Sequence, residues 1–373
     1  MKYMFILGRN VELSVKEVLC FLERFEYKIN NFIEKGNSLL VDIEGQLEKG
    51  CIDKLGGVIG IGEVMSEGDI SEIVKDLEKQ TLYSGTSNKF NYIIWDYSSE
   101  GYLEVAQYLK KRFRDEKLKA TEKKLTGKIE LQTGGYASSL KSPLIDGQFF
   151  IFSSNNIVSF GKIIEFCDYN KLEKRDMGKP FRRSELAISP RLSKIMINLS
   201  RIQQGSLLDC FCGIGVVLFE ALLQDLEILG VEIDRKAIEG AKKNLVWGKF
   251  DSNKYNLFND NSERVRIKDV DVLVSEPELG ETFRKIPPEV KINRSLAEFE
   301  NLMIEVLNNL KKNIRGRIVF TAPYILTHKK NQRRGCNIDK ILEETGLKLV
   351  EDFPIPEFRK GQVVGREIFV LEK

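Results

Sequence analysis

The sequence predicts an α/β protein, with an open, doubly wound sheet over its second half and a smaller α+β region before it. Three observations carry this reading. From residue 189 onward, strand and helix patterns alternate regularly. The strands there are continuous apolar runs, as in SLLDCF and DVDVLV, which fits a parallel sheet covered on both faces. One of them ends in an aspartate that leads straight into a glycine turn and a helix, LLDCFCGIGVVLFEALL.

The elements follow in order. YMFILG reads as a strand. Ser14 and Glu17 have capping-box spacing, and Val15, Val18, Leu19 and Leu22 recur at helical intervals. SLLVDIEG is a strand, and KLGGVIGIGEVM a short β-branched strand with glycine turns. Residues 1–65 thus form one small α+β part. ISEIVKDLEKQ is helical, FNYIIWDY a strand, and YLEVAQYLKKRF an amphipathic helix with a basic end. KIELQT, QFFIFSS and NIVSFGKIIEF add strands, giving a second α+β part over 66–168. Residues 169–188 are charged and lack a period, as in a linker or a functional arm.

The remaining residues, 189–373, carry the alternating pattern. Ser189 is an N-cap with Pro190 at the first helical position, and Leu192, Ile195, Met196 and Leu199 line one face. Strand SLLDCF, helix VVLFEALLQD, strand EILGVEID, helix RKAIEGAKKNLVWG and strand DVDVLVSEP come next. A further strand is expected to end at Asn259-Asp260, although its apolar pattern is faint. Ser295 and Glu298 have the spacing to cap a helix bearing Phe299, Leu302, Met303, Val306 and Leu310. RIVFTAP is a strand, and KLVEDFPI with GREIFVLEK close the chain as an antiparallel pair.

Composition removes several chemistries. The chain has 373 residues, one His and six Cys. Triads that use histidine are excluded unless His328 is the base, and it sits in the polar stretch THKKNQRRG. No CxxC pair supports a zinc site. The start, MKYMFILGRN, reaches a charge after four apolar residues, unlike a signal peptide, and no apolar run approaches the ~20 residues that span a bilayer. Scattered cysteines without a secretory signal point to the reducing cytoplasm.

The net charge of +3 conceals a strong alternation. Residues 1–100 carry 11 basic and 17 acidic side chains, residues 101–200 carry 19 and 11, residues 201–300 carry 14 and 18, and residues 301–373 carry 14 and 9.

The glycine turn is the chemical centre. Asp209 ends the strand, Gly213 and Gly215 permit close approach of a ligand to the backbone, and the following helix offers free N–H groups. Glu232 ends the next strand, where a carboxylate accepts from both ribose hydroxyls of a nucleoside cofactor. Spacing does not choose between nicotinamide and S-adenosylmethionine. The absence of a third glycine, with Phe219 in its place, and an aspartate suited to an ammonium-bearing ligand favour S-adenosylmethionine.

LLDCFCGIGVVLFEALLQDLEILGVEID resembles the segment beginning D-P-F-C-G-[ST]-G of the THUMP-domain tRNA guanosine-N2 methyltransferases, which act on the guanosine at about position ten of tRNA. RDMGKPFRR…ISPRLSKIMINLS, the start YMFILGRNVELSVKEVL, LGGVIGIGEV and the closing GQVVGREIFVLEK are similar to other parts of that family. The resemblance covers nearly the whole chain, most strongly 176–234. It implies a ferredoxin-like part over 1–65, a THUMP module that binds tRNA over 66–168, a linker over 169–188 and a Rossmann-like class I methyltransferase domain over 189–373. It further implies that Asp209, Phe211, Gly213 and Gly215 line the methionine side of S-adenosylmethionine, that Glu232 holds the ribose and that Asp260 lies near the adenine. Some members of the family require a small activating protein.

Where the family carries Asp/Asn-Pro-Pro-Tyr/Phe, this chain has Glu276-Pro277-Glu278-Leu279 after Ser275. Methylation of an exocyclic amine needs acceptors for its N–H groups. The Glu276 carboxylate and the Pro277 carbonyl are the candidates, acting by positioning and electrostatics. The aromatic that stacks on the base is replaced by Leu279, and Phe283 is the nearest substitute.

RNA binding requires accessible cations. Residues 107–128 hold nine basic and three acidic side chains, 171–183 six and two, and 329–335 four and none. Lys110, Lys111, Arg112, Arg114, Lys123, Lys124, Lys179, Arg182 and Arg183 are therefore the expected RNA contacts. Tyr136 and Phe181 lie among basic residues, where rings stack on bases, although packing is the commoner use. Two other readings stand beside tRNA methylation: a catalytically degenerate tRNA-binding relative, and an amino-methyltransferase of another RNA or DNA base.

Overall fold

The computed structural model of the protein describes residues 1–97, 100–124, 128–130, 136–138, 144–183, 188–281, 283–329 and 332–373, with only the backbone at 128–130 and 136–138. The chain divides into two compact units, residues 1–18 with 26–171, and residues 19–25 with 172–373. Among the described residues no helix is long and apolar enough to cross a membrane.

The first unit contains β1 (Lys2–Leu7), α1 (Val11–Arg24, whose last turns count with the second unit), β2 (Ile29–Lys35), β3 (Ser38–Ile43), β4 (Val58–Gly68), α2 (Ile70–Leu77), β5 (Lys89–Asp96), α3 (Tyr102–Asp115), β6 (Lys119–Glu122), β7 (Lys128–Glu130), β8 (Tyr136–Ser138), β9 (Gly147–Ser154) and β10 (Ile157–Phe166). Eight of the strands form one sheet in the order β2-β3-β1-β4-β10-β9-β5-β6, while β7 pairs with β8 alone. The expected boundary at residue 65 falls within β4, which pairs with β1 on one edge and β10 on the other. Helices α2 and α3 bury Ile73, Leu77, Val105, Leu109 and Phe113 against Phe90, Tyr92, Phe149 and Phe160 of the sheet.

Two capping expectations fail for a common reason, since each helix begins earlier than its Ser-x-x-Glu pattern. In α1, Asn10 is the cap, with its Oδ1 accepting from the Leu13 N–H at 3.2 Å. Ser14 lies in the first turn and donates to the Asn10 carbonyl at 2.6 Å. Buried Glu17 instead accepts from the Gly56 and Gly57 N–H groups, both at 2.6 Å, and so fastens the glycine turn before β4. A true capping box occurs at Asp69 and Glu72, opening α2.

Arg112 departs from the expectation of a free cation. Its guanidinium donates to the Leu77 and Gln80 carbonyls and to Glu116, so it caps the end of α2. Arg112→Ala removes these donors, leaving the Leu77 carbonyl only the Gln80 N–H at 3.1 Å, and is expected to cost about 1–3 kcal/mol in urea unfolding. The exposed neighbour Lys111, replaced by Ala, should stay within about 0.5 kcal/mol.

The second unit takes in most of α4 (Tyr169–Met177), which occupies half of the stretch expected as a linker. Then come α5 (Pro190–Leu199), β11 (Ser206–Asp209), α6 (Val216–Leu222), β12 (Glu227–Glu232), α7 (Arg235–Trp247), β13 (Tyr255–Asn259), β14 (Val272–Ser275), α8 (Glu289–Leu310), β15 (Ile318–Leu326), β16 (Arg333–Arg334), α9 (Ile338–Thr345), β17 (Lys348–Leu349), β18 (Ile355–Glu357) and β19 (Val364–Glu372). Ser189 caps α5, with its hydroxyl accepting from the Leu192 N–H at 3.2 Å. The helix expected from Ser295 begins two turns earlier, after Pro288, and places Ser295 in its interior.

The sheet order is β13-β12-β11-β14-β15-β19-β17. The first five strands are mutually parallel, and β19 runs antiparallel to β15. Val272, Leu273, Val274 and Ser275 are all buried, although successive side chains alternate faces, so both faces of the sheet are covered. The β17 and β18 strands both pair antiparallel with β19. The faint strand is β13, at the sheet edge, where one-sided exposure weakens its apolar pattern. The chain runs outward from β11 to β12 and β13 and then returns to β14 on the other side of β11, so a crevice opens at the carboxyl ends of β11 and β14 where the direction reverses.

Candidate active site

The crevice gathers residues from three strands. Asp209 ends β11 and Ser275 ends β14, and the Ser275 hydroxyl donates to Asp209 Oδ1 at 2.5 Å. The Phe211 N–H donates to both, at 3.2 Å to Asp209 Oδ1 and 3.1 Å to Ser275 Oγ. Burial pushes the Asp209 carboxyl up to about 7, the two donors hold it down, and Glu232 and Glu276 raise it further.

The turn after Asp209 needs its glycines. Gly213 adopts φ +51° and Gly215 φ +82°, the left-handed region that side chains avoid. A Cβ on Gly215 would stand 3.2 Å from Ala241 of α7, whereas one on Gly213 would meet no atom within 4 Å. Open space therefore lies over Gly213. Glu232 closes this turn, as its two oxygens accept from the Gly213 N–H at 2.9 Å and the Asp234 N–H at 2.8 Å. Asp260 is exposed just beyond β13, and its N–H donates to the Glu232 carbonyl at 3.2 Å. Phe211 packs partly against the core beneath the sheet.

Glu276 follows β14 directly. Its carboxylate accepts from Arg366 Nε of β19, with 9% of the Glu276 side chain exposed and 21% of the Arg366 side chain. Burial raises the Glu276 carboxyl, and the guanidinium opposes that rise. Pro277 is buried and Glu278 exposed. Phe283 packs against Ile292, Leu296 and Ile325, so its ring belongs to the α8–β15 core.

The approach to the crevice comes from residues 178–183. Asn244, buried in α7, accepts from the Phe181 N–H at 3.0 Å and donates to the Phe181 and Ile214 carbonyls at 3.1 and 3.0 Å. It thereby ties this arm to the glycine turn. A Cβ on Gly240 would fall 2.2 Å from the Phe181 ring, so Phe181 packs on α7. The Tyr136 side chain lies outside the described residues.

Several expected RNA contacts are exposed: Lys110, Lys111, Arg114, Lys123, Lys124 and Arg182. Arg183 is half-exposed and paired with Asp234, beside Glu232. Lys179 departs from expectation, because only 8% of its side chain is exposed and it pairs with Asp176 at 3.1 Å. Of the third basic run, Lys330 and Asn331 lie outside the described residues, while Arg333 donates to the Tyr324, Gln362 and Val363 carbonyls and stacks on Phe358. His328 is exposed.

No protein-family model matches the chain. The tRNA (guanine(10)-N2)-dimethyltransferase of Pyrococcus abyssi is 25% identical over 329 residues, which is 87% of this chain and 88% of that protein. The protein of the same name from Methanocaldococcus jannaschii is 24% identical over 78% of this chain and 86% of its own length. A third, from Methanothermobacter thermautotrophicus, is 30% identical over 145 residues, which span 40% of its length. This chain is homologous to those proteins. Among solved structures, TrmN from Thermus thermophilus aligns over the full length of both chains with a TM-score of 0.52 at 12% identity, a likeness of fold. The second unit has the Rossmann-like methyltransferase fold.

Nothing in the sequence signalled what three residues of the crevice do. Ser275 joins the glycine turn to the strand that carries Glu276. Asn244 joins the arm to the same turn, and Arg366 meets Glu276 across β15. Only their place at strand ends or on a buried helix face sets them apart.

Proposed function

We propose that the protein transfers methyl groups from S-adenosylmethionine to the N2 amino group of the guanosine at position ten of tRNA, in the cytoplasm. The observation that carries this reading is the juxtaposition of the Gly213 cradle, Glu232 and Asp209 with Glu276 at one crevice. Homology to the tRNA (guanine(10)-N2)-dimethyltransferases supports the substrate.

The residues present fit the cofactor. Space over Gly213 admits the methionine portion, and Glu232 offers carboxylate oxygens to ribose hydroxyls. Asp209, Glu232 and Glu276 place three acids around the crevice, with the half-buried Arg366 held against Glu276, which suits a positively charged ligand. Exposed Asp260 and Ile233, the latter 69% exposed, flank the position for an adenine ring. When bound, S-adenosylmethionine supplies an electrophilic methyl group on sulfur, which leaves with the bonding electron pair.

On the protein side, Glu276 accepts an N–H of the guanine amine, and the Pro277 carbonyl accepts the other. These contacts orient the nitrogen lone pair, and the carboxylate stabilises the positive charge that grows on nitrogen. The proton released after transfer passes to Glu276 or to solvent.

The tRNA is held by residues 66–168 and by the arm at 169–188, through Lys110, Lys111, Arg114, Lys123, Lys124, Arg182 and Arg183. Replacing Lys110, Lys111, Lys123 and Lys124 together by Ala is expected to weaken tRNA binding at least about tenfold and to reduce the salt slope by roughly one for each lysine that pairs with a phosphate. Binding titrations across salt concentrations check this, and an unchanged slope would remove these lysines from the interface. The function itself is tested by reaction with unmodified tRNA followed by nucleoside mass mapping. One or two methyl groups on guanosine ten is the expected product, and tRNA binding without methyl incorporation would refute the enzyme reading.

A further inference from the structure

Arg366 lies on β19, opposite Pro323 of β15 and Glu357 of β18. Its Nε–H donates to Glu276 Oε1 across β15. Arg366 from β19 holds Glu276, the Glu276 charge acts on Asp209 at the end of β11, and Glu357 of β18 stands opposite Arg366 in register. Exposed Glu278 follows on its own segment. Between them β15 presents Thr321, Ala322 and Pro323, none of them ionisable.

We propose that Arg366 is the positioning residue of the methyl transfer: it fixes the Glu276 carboxylate through Oε1 and leaves Oε2 to accept the amine N–H of the substrate. The inference rests on Glu276 as the amine acceptor. Its physical basis is that a buried carboxylate facing a second acid, Asp209, favours its neutral form unless a cation is held against it. A neutral Glu276 donates a hydrogen bond where the reaction requires an acceptor. Arginine suits the task because its guanidinium stays charged under burial and directs its N–H groups in a fixed plane. The role is distinct from catalysis proper, since Arg366 acts through Glu276.

The test uses the full chain, unmodified tRNA and methyl-labelled S-adenosylmethionine, with single-turnover rates measured from pH 6 to 9. With cofactor saturating at every pH, the wild-type rate should be flat over this range. Arg366→Gln should lose at least about tenfold at pH 6.5 and recover as pH rises, because each unit by which the Glu276 pKa climbs removes about tenfold of its ionised form below that pKa. Arg366→Lys, which keeps the charge but not the planar fork, should give a flat profile at a reduced rate. Cofactor affinity and the melting temperature of each variant monitor folding. A loss that is equal at every pH in Arg366→Gln, or no loss, overturns the inference alone. If the Gln protein does not fold, a sloping profile in Arg366→Lys overturns it. Absence of any transfer by the wild type overturns both the inference and the enzyme reading on which it rests.

Discussion

Methyl transfer to tRNA by the Glu276→Gln protein is expected to fall at least about a hundredfold, with S-adenosylmethionine affinity changed by no more than about threefold. The substitution keeps volume and shape and removes only the negative charge. A positioned proton acceptor typically contributes about 10²–10⁴-fold to rate, and Glu276 sits where burial amplifies its field, with 9% of its side chain exposed. The Gln amide would also turn donor hydrogens toward either Arg366 or the substrate amine, and both of those are donors themselves. Glu276→Asp separates charge from reach. It keeps the charge, shortens the side chain by one methylene and draws the carboxylate away by about 1 Å, a displacement large enough to slow a positioned reaction severely. Single-turnover kinetics with labelled cofactor, alongside calorimetric cofactor binding, measure both. An unchanged rate in the Gln protein would remove Glu276 from the reaction.

The second large effect concerns Asp209, whose carboxyl is pushed up to about 7 by burial. The folded protein holds this proton between about pH 4 and 7, whereas the unfolded chain, with an ordinary aspartate near 3.9, has released it. The unfolded state therefore gains stability relative to the folded one as pH rises through that window. Asp209→Asn removes the cost, so its stability relative to wild type should be greater at pH 8 than at pH 5 by on the order of 2 kcal/mol. The same substitution should weaken S-adenosylmethionine binding at pH 8 at least about tenfold, because a cationic ligand loses the anion that faces it. Wild-type affinity should strengthen from pH 6 to 8 as Asp209 ionises, and the Asn protein should lack that slope. Urea unfolding and calorimetry at the two pH values check the pair of effects. An equal stability difference at both would show that Asp209 carries no such shift. A buried acid that destabilises the empty protein and serves the ligand is the usual conflict between stability and function at a binding site.

Much of the second unit was legible in the chain. Continuous apolar runs such as Leu207-Leu208 and Val272–Val274 identify strands covered on both faces, and the Asp209–Gly215 turn marks where a ligand meets the backbone. The faint edge strand β13 and the true starts of α1 and α8 were not legible. Edge strands lose half their apolar signal to solvent, and a Ser-x-x-Glu pattern carries no information about whether an earlier residue has already capped the helix. In the first unit, the strand pattern around residue 65 gives no hint that β4 is shared by the strands on either side. Charge runs were the least reliable guide, since a lysine or arginine reads the same in sequence whether it faces water, like Lys110, or holds carbonyls, like Arg112 and Arg333.

The sequence by itself determined the alternating α/β plan, the glycine turn and the acids at or just past the ends of four strands, because period, turn chemistry and strand-end carboxylates are local properties. Only the tertiary structure decided which groups act on those acids. Ser275 on Asp209, Asn244 on the arm and the turn, and Arg366 on Glu276 join residues 30 to 90 positions apart. Such pairings follow from strand order and register, and strand order is fixed by how buried faces pack, which no local stretch of chain specifies.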